Sequence, residues 1–453
     1  MSSKNQFGSK IGLIAATVGS AVGLGNIWRF PAEAQENGGA AFLLLYIVCV
    51  FILGIPVMIG EFSLGRGTRE NAVDAFRRLA PRSSWWIVGA IAILASYLIL
   101  SFYMVVAGWT FEYMVQSVTG NLFSFPTEAG SSDAQFTQKM QQYIGSDLRP
   151  LLATYAMLIL NLVILLRGVQ KGIEKISNIL MPMLFALLLL FAVTSLSLPA
   201  AVDGLKFFFH PDFSKITPGV AINALGQAFF SLSLGMGILV TYASYFPKST
   251  KLGRTAVTVS MLDLLVAILM GIIIFPAVTS FGLTDHNLSG ATLVFVTLPE
   301  VFAQMHWTVF WSTTFFLLLM VAALTSTISL AEVSIAFIKD KLKVSRKKAC
   351  YIVILPLFAL SSICSLSQGS LSGLRIGGMD IFTFLDTMAT NYMLPSAALF
   401  TCLFLGWKAP HNLLRNEITN VGTTGKFIYP AMRLILRYVA PVLILIILTS
   451  NFF

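Results

Sequence analysis

Gly19-Ser20-Ala21-Val22-Gly23-Leu24-Gly25-Asn26-Ile27-Trp28-Arg29-Phe30-Pro31 lies inside the first hydrophobic span of this 453-residue chain. Glycines, an asparagine, an arginine and a proline make a poor uninterrupted helix. Each glycine costs about 1 kcal/mol relative to alanine in a helix interior, and a proline disfavours helical geometry at the residue before it, here Phe30. The run predicts a broken helix. In a bilayer, a break is tolerated only where the freed backbone groups are buried in protein or line a polar cavity. Two half-helix ends offer N–H groups to a carboxylate and bare carbonyls to a cation, so the break points to a binding site.

The surrounding chain sets that break in a membrane. It is 56% hydrophobic and 11% charged, with a mean hydropathy of +0.81, too little polar surface for a set of soluble domains. Apolar spans are expected at roughly 11–30, 40–60, 84–110, 151–167, 174–196, 217–246, 256–279, 308–337, 349–366, 381–407 and 430–450, eleven in all. Residues 291–304, with Pro299, read as a short re-entrant or surface helix. Cys49, Cys350, Cys364 and Cys402 lie in or beside these spans without metal or redox spacing and read as small core residues. The N-terminal apolar stretch has no signal-peptide pattern and reads as a retained first helix.

The net charge of +10 is sorted by side. Alternate segments collect Lys4, Lys10, Arg66, Arg69, Arg77, Arg78 and Arg82 at the start, the run from Lys339 to Lys348, and Lys408 to Arg437 at the end. The other side holds few cations. The positive-inside rule places the N-terminus in the cytoplasm and, with eleven spans, the C-terminus outside. The basic excess is therefore topology, and no nucleic-acid partner is implied. The lipid bilayer is the partner that composition requires.

A second interruption, Ser231-Leu232-Ser233-Leu234-Gly235-Met236-Gly237, falls in the sixth span. An odd and an even helix start on opposite faces, so spans 1–5 and 6–10 are expected to be inverted repeats whose breaks meet at the midplane. Close-packing glycines of the small-xxx-small kind are the alternative. The division expected is residues 1–200 for the first repeat, 201–410 for the second and 411–453 for the last helix.

Charges inside spans mark function by default. Asp263 stands in span seven with no basic neighbour in its own helix and needs a cation, the alternative being a protonated or water-bridged carboxyl. Thr325 and Ser326 place hydroxyls in span eight, where back-bonding to their own helix is the competing use. Arg29 and Asp386 fall at one membrane face and form a possible outer latch; Lys4 and Asp340 fall at the other and form its inner counterpart, unless each is mere interface charge. No HExxH, Gly-x-Ser-x-Gly or Walker loop is present, and His210, His286, His306 and His411 are scattered, so an enzyme is not expected. A channel using the same breaks, or a receptor that binds without accumulating, are the remaining rivals.

The run Gly23 to Pro31, with Glu36-Asn37-Gly38-Gly39-Ala40-Ala41-Phe42, Gly54-Ile55-Pro56, Glu61, Gly65-Arg66, the Ser231 to Gly237 stretch and Thr325-Ser326, resembles the signature of the neurotransmitter:sodium symporter family. The resemblance covers essentially the whole chain. It implies an all-α integral membrane protein of the LeuT-like fold, with helices 1 and 6 unwound, and two sodium ions as co-transported cations. By this resemblance sodium one meets the Ala21 carbonyl, Asn26, Ser231, Asp263 and the substrate carboxylate. Sodium two meets the Gly19, Val22 and Ala322 carbonyls with the Thr325 and Ser326 hydroxyls. The substrate carboxylate meets the Leu24 and Gly25 amides and Tyr103, and its amino group the carbonyls around Ala21, Phe230 and Ser233. Ile99, Tyr103, Phe230, Met236, Ser326 and Leu330 line the pocket, which suits large hydrophobic and aromatic L-amino acids such as tryptophan, leucine and tyrosine. Ala267 supplies no second carboxylate, so Asp263 itself implies chloride independence. Gly23 stands where amine-carrying relatives place an aspartate, which implies an amino acid with its own carboxylate. Gly172 and Pro182 resemble the family's pair that lets helix five unwind at its cytoplasmic end; a simple proline kink is the alternative. No obligatory protein partner is implied.

Overall fold

In a computed structural model describing residues 6–125, 132–283, 290–422 and 428–450, the chain is a bundle of long helices. In chain order they are α1 (Lys10–Ala21), α2 (Gly25–Glu36), α3 (Ala40–Thr68), α4 (Ala72–Leu79), α5 (Trp86–Val118), α6 (Ser132–Gly145), α7 (Leu148–Leu166), α8 (Val169–Leu196) and α9 (Ala201–Phe209). Then follow α10 (Pro218–Ser231), α11 (Ile238–Ala243), α12 (Leu252–Ser280), α13 (Gly290–Ala303), α14 (Thr308–Leu342), α15 (Arg346–Leu366), α16 (Ile381–Lys408), α17 (His411–Thr419) and α18 (Ile428–Ser450). One two-residue hairpin, Arg375–Ile376 with Met379–Asp380, precedes α16.

Among the described residues nine helices are long and apolar enough to cross a membrane, ten when α1 and α2 are taken as one bent span. The hydropathic boundaries fall short of the helices in places. The second span continues to Thr68 and the third to Val118. At Glu61, Gly65 and Arg66 the helix continues because those residues are buried against protein, where hydropathy does not register them. The short helix expected near 291–304 is α13.

The first break is narrower than the sequence suggests. α1 begins under a Ser9 cap whose hydroxyl accepts from the Gly12 N–H at 2.9 Å, and it ends where Val22 turns extended. α2 leaves at 53° to it. Phe30 and Pro31, expected to mark a break, are helical. The wide turn over Gly25–Arg29 precedes them, and the proline enters the regular α segment at its start, where a missing N–H breaks no bond. Only Val22 and Gly23 leave the helical conformation between the two pieces, and the Val22 N–H still donates to the Val18 carbonyl at 2.7 Å.

The second break separates α10 from α11. Ser233, Gly235 and Gly237 have φ of 55°, 77° and 70°, a left-handed conformation that glycine adopts without strain. The backbone there lies against α16, since a Cβ on Gly235 would stand 2.5 Å from the Leu394 carbonyl oxygen. The two breaks sit side by side in the core: the Ser233 hydroxyl donates to the Ser20 carbonyl at 2.8 Å. α5 and α14, both longer than a bilayer needs, pack along each other and close the site from the opposite side.

Candidate cation and substrate site

Four elements converge on Asp263. From α12 its carboxylate accepts from the Asn26 amide of α2 at 2.8 Å, from the Ser231 hydroxyl at the end of α10 at 2.7 Å, and from the Tyr46 hydroxyl of α3 at 3.1 Å. Asn26 also donates to Ser231 Oγ at 2.9 Å, and its own amide oxygen accepts from the Gly23 N–H at 3.4 Å across the first break. All four side chains are buried. Asp263 makes no ion pair among the described residues, so a full negative charge in this core has only neutral dipoles to face. Asn26, Ser231 and Asp263 are thereby in mutual contact. Tyr46 was not anticipated. It is one more aromatic residue in an apolar span, and nothing in its sequence neighbourhood reports the hydroxyl's partner.

A second oxygen cluster lies where the end of α1 meets α14. Ser326 Oγ is 3.5 Å from both the Gly19 and the Val22 carbonyl oxygens. Thr325 Oγ1 donates to the Ala322 carbonyl at 3.0 Å. The alternative of back-bonding is thus realised for Thr325, while Ser326 reaches across to the other helix. Gly19 is needed for that approach, since a Cβ there would come within 3.2 Å of Thr325 Cβ. Both clusters offer only oxygen: carbonyls, hydroxyls, an amide and one carboxylate. Such a set suits a hard monovalent cation, and among the described residues no group of three or more His, Cys, Asp or Glu side chains converges on any point.

Between the clusters the backbone of the first break faces α5. Tyr103 Oη accepts from the Leu24 N–H at 3.0 Å, and Gln227 donates to the Gly25 carbonyl at 3.0 Å. A Cβ on Gly23 would stand 2.6 Å from Ser326 Oγ and 2.9 Å from Tyr103 Oη, so any side chain at Gly23 enters the space between these hydroxyls. Leu24, Gly25, Tyr103 and Phe230 form the floor of a cavity of about 470 Å³. Ile99, Met236 and Leu330, with Ala21, Ser233 and Ser326, are buried and are not among its lining residues.

The walls of the cavity hold the two residues expected as an outer latch. Arg29 and Asp386 both line it, but no ion pair joins them. Arg29 pairs with Glu33 of its own helix at 3.6 Å and lies 5.0 Å above the Phe230 ring, so the cavity stands open between the two residues. At the other end of the bundle Asp340 accepts from Asn71 at 3.2 Å, and its expected partner Lys4 lies outside the described residues. That end is shut. Phe7 packs among Tyr242, Tyr245 and Phe246, and Glu174 of α8 accepts from the Gly8 and Ser9 N–H groups at 2.7 and 2.9 Å. Gly172 lies in the widened first turn of α8 and Pro182 inside its regular part.

Two further carboxylates had gone unassigned. Glu61 accepts from the Gly235 N–H at 2.7 Å and thereby holds the second break, while Glu332 of α14 is paired with Arg346 at 2.6 Å. Glu61 stood among the residues that carry the family resemblance but without a role, and Glu332 gave no signal of its own.

Residues 4–143 and 134–453 match the model of the Sodium:neurotransmitter symporter family. An uncharacterized sodium-dependent transporter of Bacillus subtilis, YhdH, is 38% identical over 98% of this chain and 96% of its own length. The sodium-dependent serotonin transporter of Drosophila melanogaster is 28% identical over 84% of this chain and 66% of its own. The crystal structure of MhsT in complex with L-phenylalanine is similar throughout, with a TM-score of 0.89, 41% identity and 99% of each chain covered.

Proposed function

The chain belongs to the sodium:neurotransmitter symporter family, and from that premise we propose that it is a chloride-independent importer of large hydrophobic and aromatic L-amino acids driven by two sodium ions. Sodium-dependent membrane transport follows from the family; the substrate, the ion count and the site assignments are our reading. The observation that carries it is Asp263, a buried carboxylate with three neutral donors and no basic partner, set against an unwound helix.

In this reading sodium one displaces the Asn26 and Tyr46 hydrogens from Asp263 and takes the carboxylate, Ser231, the Asn26 amide oxygen and the Ala21 carbonyl as ligands. Sodium two joins α1 to α14 through Gly19, Val22, Ala322, Thr325 and Ser326. The substrate carboxylate completes site one and accepts from the Leu24 and Gly25 amides, with Tyr103 turning its hydroxyl from Leu24 to the substrate. The amino group meets carbonyls near Ala21, Phe230 and Ser233. Ile99, Met236 and Leu330 take the side chain, and an apolar pocket without a charge favours tryptophan, leucine or tyrosine. Because substrate is a ligand of the ion, each raises the other's affinity by the same factor.

Eleven spans are proposed, with 218–243 counted as one interrupted span, two inverted repeats (1–200 and 201–410) and a final helix (411–453). The basic end faces the cytoplasm. The cavity above Phe230 then opens outward, and closing it brings Arg29 towards Asp386. Opening the other face releases Lys4 from Asp340 and the N-terminal segment from Glu174. Each entering sodium also gains about 2.3 kcal/mol per 100 mV of membrane potential.

The test is uptake of labelled tryptophan into proteoliposomes under an imposed sodium gradient, with gluconate replacing chloride. Accumulation above equilibrium that requires sodium and ignores chloride is expected. Equilibration without accumulation would favour a channel, and binding without uptake a receptor. A smaller prediction separates Tyr46 from the core ligands. Tyr46→Phe removes a neutral donor to a charged group, about 1.5 kcal/mol, so half-saturation by sodium should shift by roughly tenfold or less. Which way it shifts is informative: tighter sodium binding means that the Tyr46 hydroxyl competes with the ion, weaker binding that it supports the liganding geometry.

A further inference from the structure

Between α17 and the first turns of α18 lies a cavity of about 370 Å³ lined by His411, Asn412, Arg415, Thr419, Tyr429 and Arg433. Among the described residues no aspartate or glutamate lines it. The one carboxylate of α17, Glu417, is committed elsewhere, to Arg66 of α3. Arg433 touches His411, Nη2 to Nε2 at 3.3 Å. Two guanidiniums thus share one polar cavity without an anion in its wall, next to an amide and a phenol.

The cavity sits where two membrane-length helices end. α16 finishes at Lys408 and α18 starts at Ile428. The neighbouring surface is apolar: Trp407, Ile428, Leu434 and Tyr438 are 56, 55, 55 and 50% exposed. Arg437, one turn along α18 from Arg433, stacks at 3.8 Å over the Trp407 ring, whose Nε1 donates to the Arg437 carbonyl at 3.1 Å. Indole and guanidinium in this arrangement mark the interfacial layer of a bilayer. A cationic cavity opening beside exposed apolar side chains at that depth is complementary to an amphiphile with a negative head.

We propose that this cavity binds the phosphodiester of an anionic glycerophospholipid, with Arg415 and Arg433 paired to the phosphate, Asn412 and Tyr429 donating to it, and the acyl chains lying along α18. Guanidinium forks match phosphate oxygens in pairs, and each basic residue at such a surface contributes about 1 kcal/mol. The leaflet follows from the orientation proposed above and is the cytoplasmic one; the binding chemistry itself does not depend on it.

The test uses native mass spectrometry of the full-length protein in neutral detergent, with phosphatidylglycerol, phosphatidylcholine or inorganic phosphate added. Wild type is expected to retain phosphatidylglycerol in preference to phosphatidylcholine. Arg415→Gln/Arg433→Gln should bind it about thirtyfold more weakly, each single variant falling between. An unchanged thermal midpoint in phosphatidylcholine confirms that the double variant is folded; if it is not, the single variants carry the comparison. Equal retention of the two lipids by wild type, or no loss in the variants, overturns the proposal. Displacement of the lipid by equimolar inorganic phosphate also overturns it and assigns the site to a soluble anion. Since binding is read without transport, a failure here leaves the symporter reading standing, and the uptake assay tests that separately.

Discussion

Asp263→Ala is expected to abolish sodium-driven accumulation while leaving the protein folded. The carboxylate is fully buried and holds three hydrogen bonds from uncharged donors. Removing one partner of a buried charge pair costs about 3 to 5 kcal/mol, which is more than a hundredfold in sodium affinity at site one. In sodium-free buffer the sign reverses. There the wild-type carboxylate lacks a cation, so the alanine variant should melt no lower than wild type. Added sodium and tryptophan should raise the wild-type midpoint, as ligands that bind only the folded state do, and raise the variant's less, since only the second sodium site is left intact. A variant that gains as much stability from sodium as wild type and still concentrates tryptophan would remove Asp263 from the site.

The asparagine variant sharpens the argument about chloride. Asp263→Asn keeps an amide oxygen near Ser231 and Tyr46 but deletes the negative charge. The hydroxyls of those residues, 2.7 and 3.1 Å from the carboxylate, are then free to donate to an anion from solution. Uptake by this variant should be weak in gluconate and partly restored by chloride, whereas wild type should be indifferent to the exchange. Chloride dependence in wild type would overturn this account of Asp263 without touching the fold.

What could be read beforehand and what could not divides along physical lines. Gly235 and Gly237 pointed to a break because their backbone conformations are ones a side chain resists, and Asp263 pointed to a site because a carboxylate in an apolar run has to find a cation, a proton or a water. Pro31 misled: a proline breaks a ladder only where an N–H is needed, and the wide turn before it removes that need. Tyr46 and Gln227 stayed silent because their polar atoms act through tertiary contacts that no spacing encodes. Arg29 and Asp386 line one cavity, but whether two side chains touch depends on the state of the bundle, which composition does not record. Arg346 was counted only as one more cation in a basic run, and it proves to be the least surface-like of them.

Arg346→Gln is therefore expected to have the second large effect. Its guanidinium donates in pairs to Glu332, at 2.8 and 2.6 Å, and through Nε to the Leu165 carbonyl of α7 at 3.1 Å. Glu332, fully buried, also accepts from the Tyr245 hydroxyl at 2.8 Å, and the Tyr245 carbonyl accepts from the Phe7 N–H at 3.3 Å. The segment ahead of α1 is thus fastened through Tyr245 and Glu332 to the start of α15. Without Arg346 the Glu332 carboxylate is left buried with a single donor, a cost of about 3 to 5 kcal/mol that falls only on the state in which this end is shut. The equilibrium between shut and open should move by about two orders of magnitude, read as faster thiol labelling of a Ser9→Cys reporter and weaker tryptophan binding from the opposite face. Glu332→Gln/Arg346→Gln removes the stranded charge and should recover part of both. If the double variant behaves like Arg346→Gln alone, the effect belongs to the lost contact with Leu165; if labelling does not change at all, the pair is a scaffold and the fastening of the N-terminal segment lies with Glu174.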